Sequence, residues 1–251
     1  MLQPYINHQF NGSIWRLEID PITETFFLEI RNQADKKVYF ASISLINGEI
    51  YFDHLNTEER WLTGIEAAYD GKLLLHNYQS ESRPEHKGLI AIDAFTGKIV
   101  WSNYVYAFDH LSINGPVVYD TRIQPRKLFL ADINTGATIR LYQPSIDLEP
   151  DSTLVFPREI ETDFLPDLQF PITPYGNTMH YLDHNNYRIV SLHSLVEGAL
   201  KQHLYVMDGD GIVYEDLLNN DIQKLQPESF LIHKNCLLYL KNKSEIKVLY
   251  L

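Results

Sequence analysis

The feature that most constrains this chain is a hairpin that recurs along it. Residues 88–101 read Gly-Leu-Ile-Ala-Ile-Asp-Ala-Phe-Thr-Gly-Lys-Ile-Val-Trp. Two short apolar runs flank a polar Thr96-Gly97 corner, where the glycine supplies the positive φ that a tight turn requires. Variants lie at 38–52, with the corner at Asn47-Gly48, at 127–142, with the corner at Thr135-Gly136, and at 204–214, which turn at Asp210-Gly211. From Gly48 to Gly97, Gly136 and Gly211 the intervals are 49, 39 and 75 residues. The first two match a four-stranded propeller blade of about 40 to 50 residues, and the third is longer by one insertion.

Two further strand-like runs precede each copy: 14–19 and 25–30, 63–68 and 72–77, 111–114 and 117–123, 178–182 and 187–195. The β-branched and aromatic content, with 16 Tyr and 12 Phe, suits strands packed face to face. Only 192–200 and 216–223 carry patterns that lean toward helix. The C-terminal part offers three strands, 230–233, 236–240 and 246–251, and residues 4–10 are available as the fourth, which removes an unpaired edge. The expectation is an all-β chain, a β-propeller of five four-stranded blades whose ring is closed by the N-terminal strand. It is read as a single domain over 1–251 with an acidic, proline-rich insertion at about 144–173.

At the third strand and corner, Ala91, Asp93, Thr96, Gly97, Lys98 and Trp101 form a pattern, which Asp132, Thr135 and Gly136 repeat in part. This pattern resembles the repeat of quinoprotein-like (PQQ-dependent dehydrogenase-like) propellers. The resemblance implies blade architecture. Redox quinoproteins hold calcium beside the quinone, many have a vicinal cysteine pair, and they are usually eight-bladed and much longer, whereas this chain has the single Cys236. No cofactor is therefore expected. The repeat is similar also to that of non-catalytic scaffolding propellers and of a small bacterial propeller family with no assigned activity.

Charge narrows the partners. With 33 acidic against 21 basic residues the formal charge is -12, which disfavours nucleic acid and anionic lipid. The N-terminus has no basic and apolar leader pattern, no apolar run approaches the ~20 residues of a membrane helix, and one cysteine fits a reducing compartment, so a cytoplasmic location is expected. There is no glycine-rich phosphate loop and no nucleophile elbow.

Several constellations carry chemistry. Asp93 and Asp132 precede their corners, where an Asp side chain accepts backbone N–H bonds and holds the turn. Trp101 reads as a packing residue between blades. The acids Glu18, Asp20, Glu66, Asp70 and Asp109 fall on or just after inner strands. Asp20, Glu66 and Asp109 are the candidates for a convergent acid and base pair of the glycosidase kind. His180, Asp183 and His184, with His193 nearby, are the candidate metal ligands. Residues four apart on a strand span ~13 Å, so satisfied histidines are expected there instead. Asp208-Gly-Asp-Gly211 lacks the later ligands of a calcium loop and reads as a turn.

The insertion sets Asp147, Glu149, Asp151, Glu159, Glu161, Asp163 and Asp167 against the single Arg158, a local charge of -6, and holds five of the 12 prolines. Such a segment is extended, and its interspersed apolar residues require that it pack on something. It is either a docking strap, with Glu159, Glu161, Asp163 and Asp167 binding a basic protein partner, or a strap that covers an exposed edge. The leading expectation is a non-catalytic binding or scaffold propeller. The alternatives are a glycosidase-like enzyme with paired carboxylates and a degenerate quinoprotein that binds a ligand without turnover.

Overall fold

A computed structural model describes residues 2–164, 169–227 and 229–251. Among these residues the strands form five antiparallel sheets, and the one helical element is a 3₁₀ turn at Thr162–Phe164. The sheets succeed one another along the chain in the order of a β-propeller. By contact density the chain divides into two compact units, residues 11–151 and residues 1–10 with 152–251.

The first strand, β1 (Ile6–Gln9), belongs to the last sheet. The unit 11–151 then builds three four-stranded sheets from consecutive strands. The first contains β2 (Ser13–Asp20), β3 (Thr25–Asn32), β4 (Lys37–Ser44) and β5 (Ile50–Leu55). The second contains β6 (Thr63–Tyr69), β7 (Lys72–Ser80), β8 (Arg83–Asp93) and β9 (Ile99–Asn103). The third contains β10 (Tyr106–Ser112), β11 (Gly115–Asp120), β12 (Leu128–Ala131) and β13 (Thr138–Leu141). Middle strands read as unbroken apolar runs because both of their faces are covered. Phe26, Phe27 and Leu28 in β3 and Leu73, Leu74 and Leu75 in β7 are all fully buried. Phe27, Val38 and Phe40 of the first blade pack on Ile65, Leu73, Leu75 and Ile90 of the second. The inner strand expected at 111–114 is instead Tyr106–Ser112, because Ile113 and Asn114 turn the chain and Gly115, paired with Ser112, opens the next strand.

The corner motif works as the turn chemistry requires. Asp93 Oδ1 accepts from the Thr96 N–H at 3.0 Å and from the Thr96 hydroxyl at 2.8 Å, and Asp132 Oδ1 does the same for Thr135 at 2.9 and 3.1 Å. The corner glycines also receive the aromatic side chains of the preceding blade. A Cβ on Gly97 would lie 3.3 Å from the Phe52 ring, and one on Gly136 only 2.6 Å from the Trp101 indole. Trp101 Nε1 donates to the Ile133 carbonyl at 2.8 Å, which fixes it between blades.

The second unit continues with β14 (Leu154–Val155), β15 (Arg158–Glu161), β16 (Thr178–His184), β17 (Tyr187–Val196), β18 (Ala199–Asp208), β19 (Gly211–Ile222), β20 (Leu231–His233), β21 (Cys236–Lys241) and β22 (Glu245–Tyr250). One sheet runs β15-β16-β17-β18-β19 and the other β1-β22-β21-β20-β14. The N-terminal strand thus completes the last blade, with Ile6 opposite Val248 and Gln9 opposite Glu245.

Two sequence expectations change here. The helix-leaning segments 192–200 and 216–223 are almost wholly strand: Glu197 and Gly198, with φ 52° and 80°, form the two-residue turn that pairs β17 with β18. The acidic insertion is more regular than its prolines imply. It donates β14 to β20 and β15 to β16, so two blades have five strands instead of four. Ile160, Phe170 and Ile172 pack on the core of Met179, Tyr181, Val190 and Leu192. Among the described residues no helix is long and apolar enough to cross a membrane.

Candidate functional site

In the unit 11–151 an open cleft of about 400 Å³ lies between the first two blades, lined by Trp15, Arg31, Lys36, Trp61, Leu62, Tyr78, Ser80 and Glu81. Each wall has a local reason. The β2–β3 ladder slips at Trp15, between Ile14 and Arg16, and a β-bulge re-aims the side chain it contains; Trp15 is 63% exposed. The Arg31 guanidinium lies 5.7 Å from the Trp15 ring centroid and 5.0 Å from that of Trp61. It is held by Glu29 at 2.6 Å and by the Thr63 carbonyl at 2.8 Å. At the rim, Lys36 and Glu81 form an exposed 3.0 Å ion pair that ties the β3–β4 turn to the β7–β8 turn.

Tyr78 joins this cleft to a second group of side chains. Its ring meets the His76 ring edge-on at 4.6 Å and the His86 ring at 5.1 Å. The two imidazoles stack on each other, centroids 3.5 Å apart and planes 7° from parallel. Both turn Nδ1 to the same oxygen, Glu66 Oε1: His76 approaches it to 3.1 Å and His86 is hydrogen-bonded to it. Bulges again do the placing. The β6–β7 ladder slips at Glu66 and the β7–β8 ladder at His76, opposite Gly88, whose φ is 69°. Arg16 pins the first bulge by donating to the Ile65 and Glu66 carbonyls at 2.8 and 2.9 Å. Gly64 leaves the space that the imidazole fills, since a Cβ there would lie 3.0 Å from both His76 Cε1 and Glu29 Oε2.

The electrostatics follow from burial and pairing. Burial pushes the Glu66 carboxyl up, but the close approach of His76, the charges of both imidazoles and the His86 hydrogen bond outweigh it and hold the group below the usual carboxylate range. Burial pushes His76 down further than Glu66 pulls it up. The pair therefore presents a carboxylate and a neutral imidazole near neutral pH. Burial raises Glu18, and the Arg16 guanidinium bound to it opposes the shift.

Residues 19–101 match a family described as a domain of unknown function, DUF4905. The matched stretch contains the Glu66, His76 and His86 group and most of the cleft. No curated protein matches the sequence. Among solved structures, the chain is similar to BamB from Moraxella catarrhalis at 12% identity and a TM-score of 0.40, covering 100% of this chain and 98% of that one. It is similar also to CoXyl43, a GH43 beta-xylosidase/alpha-arabinofuranosidase from a compost microbial metagenome, at 11% identity and a TM-score of 0.31, covering 98% and 92%. At such scores these likenesses add nothing to what the sheet order establishes.

The other candidate residues have separate surroundings. Asp20 is fully buried and accepts from the Ile22 N–H, the Thr23 hydroxyl and, at 2.7 Å, the Gly71 N–H, which binds one blade's turn to the next. Asp109 pairs with His110 at 2.8 Å and Arg126 at 3.4 Å. Asp20, Glu66 and Asp109 thus share no partner. Glu159, Glu161 and Asp163 are exposed, the first two on β15, and Asp167 lies outside the described residues. Asp147 is not a free surface acid: Arg140 grips both of its oxygens, and the Gln143 N–H and the Asn114 amide also donate to it. On β16, Asp183 accepts from the Tyr181 hydroxyl at 2.5 Å, and strand alternation sets it on the face opposite His180 and His184. Among the described residues the one group arranged to share an ion is Glu66, His76 and His86.

Sequence reading singled out Glu66 but missed both histidines. Ser80 pairs with Arg83 across a turn, and a register shift between Tyr78 and Ser80 then sets His86 opposite Tyr78, an offset that no sequence pattern marks. Ending the second strand at residue 77 and opening the third at 88 left that hairpin unread.

Proposed function

We propose that this chain is a binding propeller whose ligand site is the cleft of Trp15, Trp61 and Tyr78, and that the ligand is a neutral carbohydrate. The observation that carries this reading is the exposed Trp15 face beside Arg31 and Trp61. Sugars offer a flat C–H face to aromatic rings and hydroxyls to fixed donors. The cleft volume falls within the roughly 300–1,000 Å³ of small-molecule sites. Its charges are already balanced, Arg31 by Glu29 and Lys36 by Glu81, so an uncharged ligand meets no unpaired ion. Binding without turnover fits the acids: of the lining residues only Glu81 is acidic, whereas glycoside hydrolysis needs two carboxyl groups facing one bond. The quinoprotein resemblance supports the blade alone, because Asp93, Thr96, Gly97 and Trp101 are engaged in the turn and in packing.

Two of the three tryptophans line the cleft, so intrinsic fluorescence reports its occupancy. Titration with neutral oligosaccharides should quench or shift the emission, and Trp15→Ala should weaken binding about tenfold, the equivalent of 1.4 kcal/mol. No response to any saccharide, or equal affinity in the variant, overturns the reading.

A second reading, a basic protein partner on the acidic strap, is favoured by the exposed Glu159 and Glu161 of edge strand β15 with Asp163 beside them. Polylysine binding that weakens with salt and is lost in the triple variant E159Q/E161Q/D163N supports it; binding that survives the variant removes it.

A further inference from the structure

We infer that Glu66, His76 and His86 form a binding site for a divalent first-row transition ion, zinc being the ion that their chemistry suits best. The inference stands on the cluster itself and is independent of what occupies the cleft. One carboxylate and two imidazoles are ligands of borderline hardness, the set that zinc and its neighbours take and that calcium and magnesium do not. The three donor atoms already lie within 4.8 Å of one another. In a tetrahedral site with bonds of about 2.0–2.1 Å, neighbouring donors sit about 3.4 Å apart, close to the 3.1 Å between His76 Nδ1 and Glu66 Oε1.

Hydrogen bonding to Glu66 accounts for the place of His86 but not for that of His76. His76 is 1% exposed, and neither of its ring nitrogens has an aligned hydrogen-bond partner despite the proximity of Nδ1 to Glu66. A buried polar group left in that state destabilises the fold, and an ion at Nδ1 would satisfy one of the two nitrogens. A further feature is the carboxylate of Glu29. Its Oε2 shares with His76 Nε2 the space left by Gly64, where a Cβ would lie 3.0 and 3.1 Å from the two atoms. That Oε2 accepts the Ile65 N–H at 2.9 Å, and His76 Nε2 makes no hydrogen bond to it.

Binding requires one movement. An ion shared by two imidazoles lies in the plane of both rings, so the parallel stack must splay. His76 is walled in by Gly64 and Tyr78 and fully buried, whereas the His86 side chain is 35% exposed and on a hairpin strand, so His86 is the ring that swings.

The test uses the full-length chain, stripped with EDTA and dialysed, then titrated with Co²⁺ and followed by visible ligand-field absorption, with Zn²⁺ as competitor. The expected result is one equivalent of Co²⁺ per chain with an intense low-symmetry band that Zn²⁺ abolishes. His86→Ala, at a partly exposed position, should keep the fold and lose at least tenfold in affinity. Glu66→Gln should do likewise, with far-UV circular dichroism checking both variants, while His180→Ala should bind as the parent does. Absence of Co²⁺ uptake, or uptake unchanged by His86→Ala, overturns the assignment.

Discussion

A single glycine shows how tightly neighbouring blades depend on each other. Gly136 has φ 69° and lies against the Trp101 indole, where an added Cβ would stand 2.6 Å from a ring carbon. Gly136→Ala therefore brings left-handed backbone strain of about 1 kcal/mol. It also brings overpacking, typically about 1–3 kcal/mol, since the tryptophan is tethered through Nε1 and cannot retreat freely. A loss of about 2–4 kcal/mol in chemical denaturation is expected, and Trp101→Leu in the same background should recover part of it. If Gly136→Ala unfolds with the parent, the corner is not a packing device. Residues of this kind were legible, because a turn's chemistry is local. Asp93, Thr96 and Gly97 announce their turn within five positions. Glu66 was visible as an acid but not as the partner of two histidines, because bulges decide where those side chains point and no local pattern marks a bulge.

Strands show the same division between what local chemistry marks and what tertiary contacts decide. Nearly every blade strand follows from the repeat, yet β15 and β14 arise from a proline-rich stretch whose strand character comes only from the edges it meets. Strand β19 was ambiguous for the opposite reason: its side chains serve a neighbouring sheet. Asp216 of β19 receives Lys241 of β21 and Lys247 of β22, both at 2.7 Å, and the Tyr239 hydroxyl at 2.6 Å. Burial pushes Asp216 up, but these bonds overcome it and bring its pKa down to about 2, against an ordinary 3.8. A depressed carboxylate stabilises the fold above the unfolded-state value and loses that contribution as pH falls through the folded one. Asp216→Asn should therefore lower stability at pH 7 by about 2 kcal/mol. The gap between variant and parent should narrow from about pH 4 and close near pH 2. A gap that stays constant across that range would show that the lysines gain nothing from the carboxylate.

For the molecule as a whole, the decisive pairing joins the two ends of the described chain. Strand β1 lies antiparallel to β22, and Leu2 and Leu251 pack on one apolar cluster with Leu204, Val206 and Leu237. Residues 1–10 thus belong with 152–251, and 11–151 interrupt them. A circular permutant beginning at residue 152, running to 251, crossing a short Gly/Ser linker and ending with 1–151 makes both units contiguous. It should fold with a melting temperature within a few degrees of the parent. A permutant that fails to fold would show that chain order matters beyond the pairing. The pairing also sets a schedule for synthesis. Strand β1 is translated before the whole of 11–151 and its partner β22 after it, so β1 must wait, unpaired, while the interrupting unit is free to settle. A product cut short before β22 carries that waiting strand as an open edge, marking incomplete chains at the opposite end from the damage.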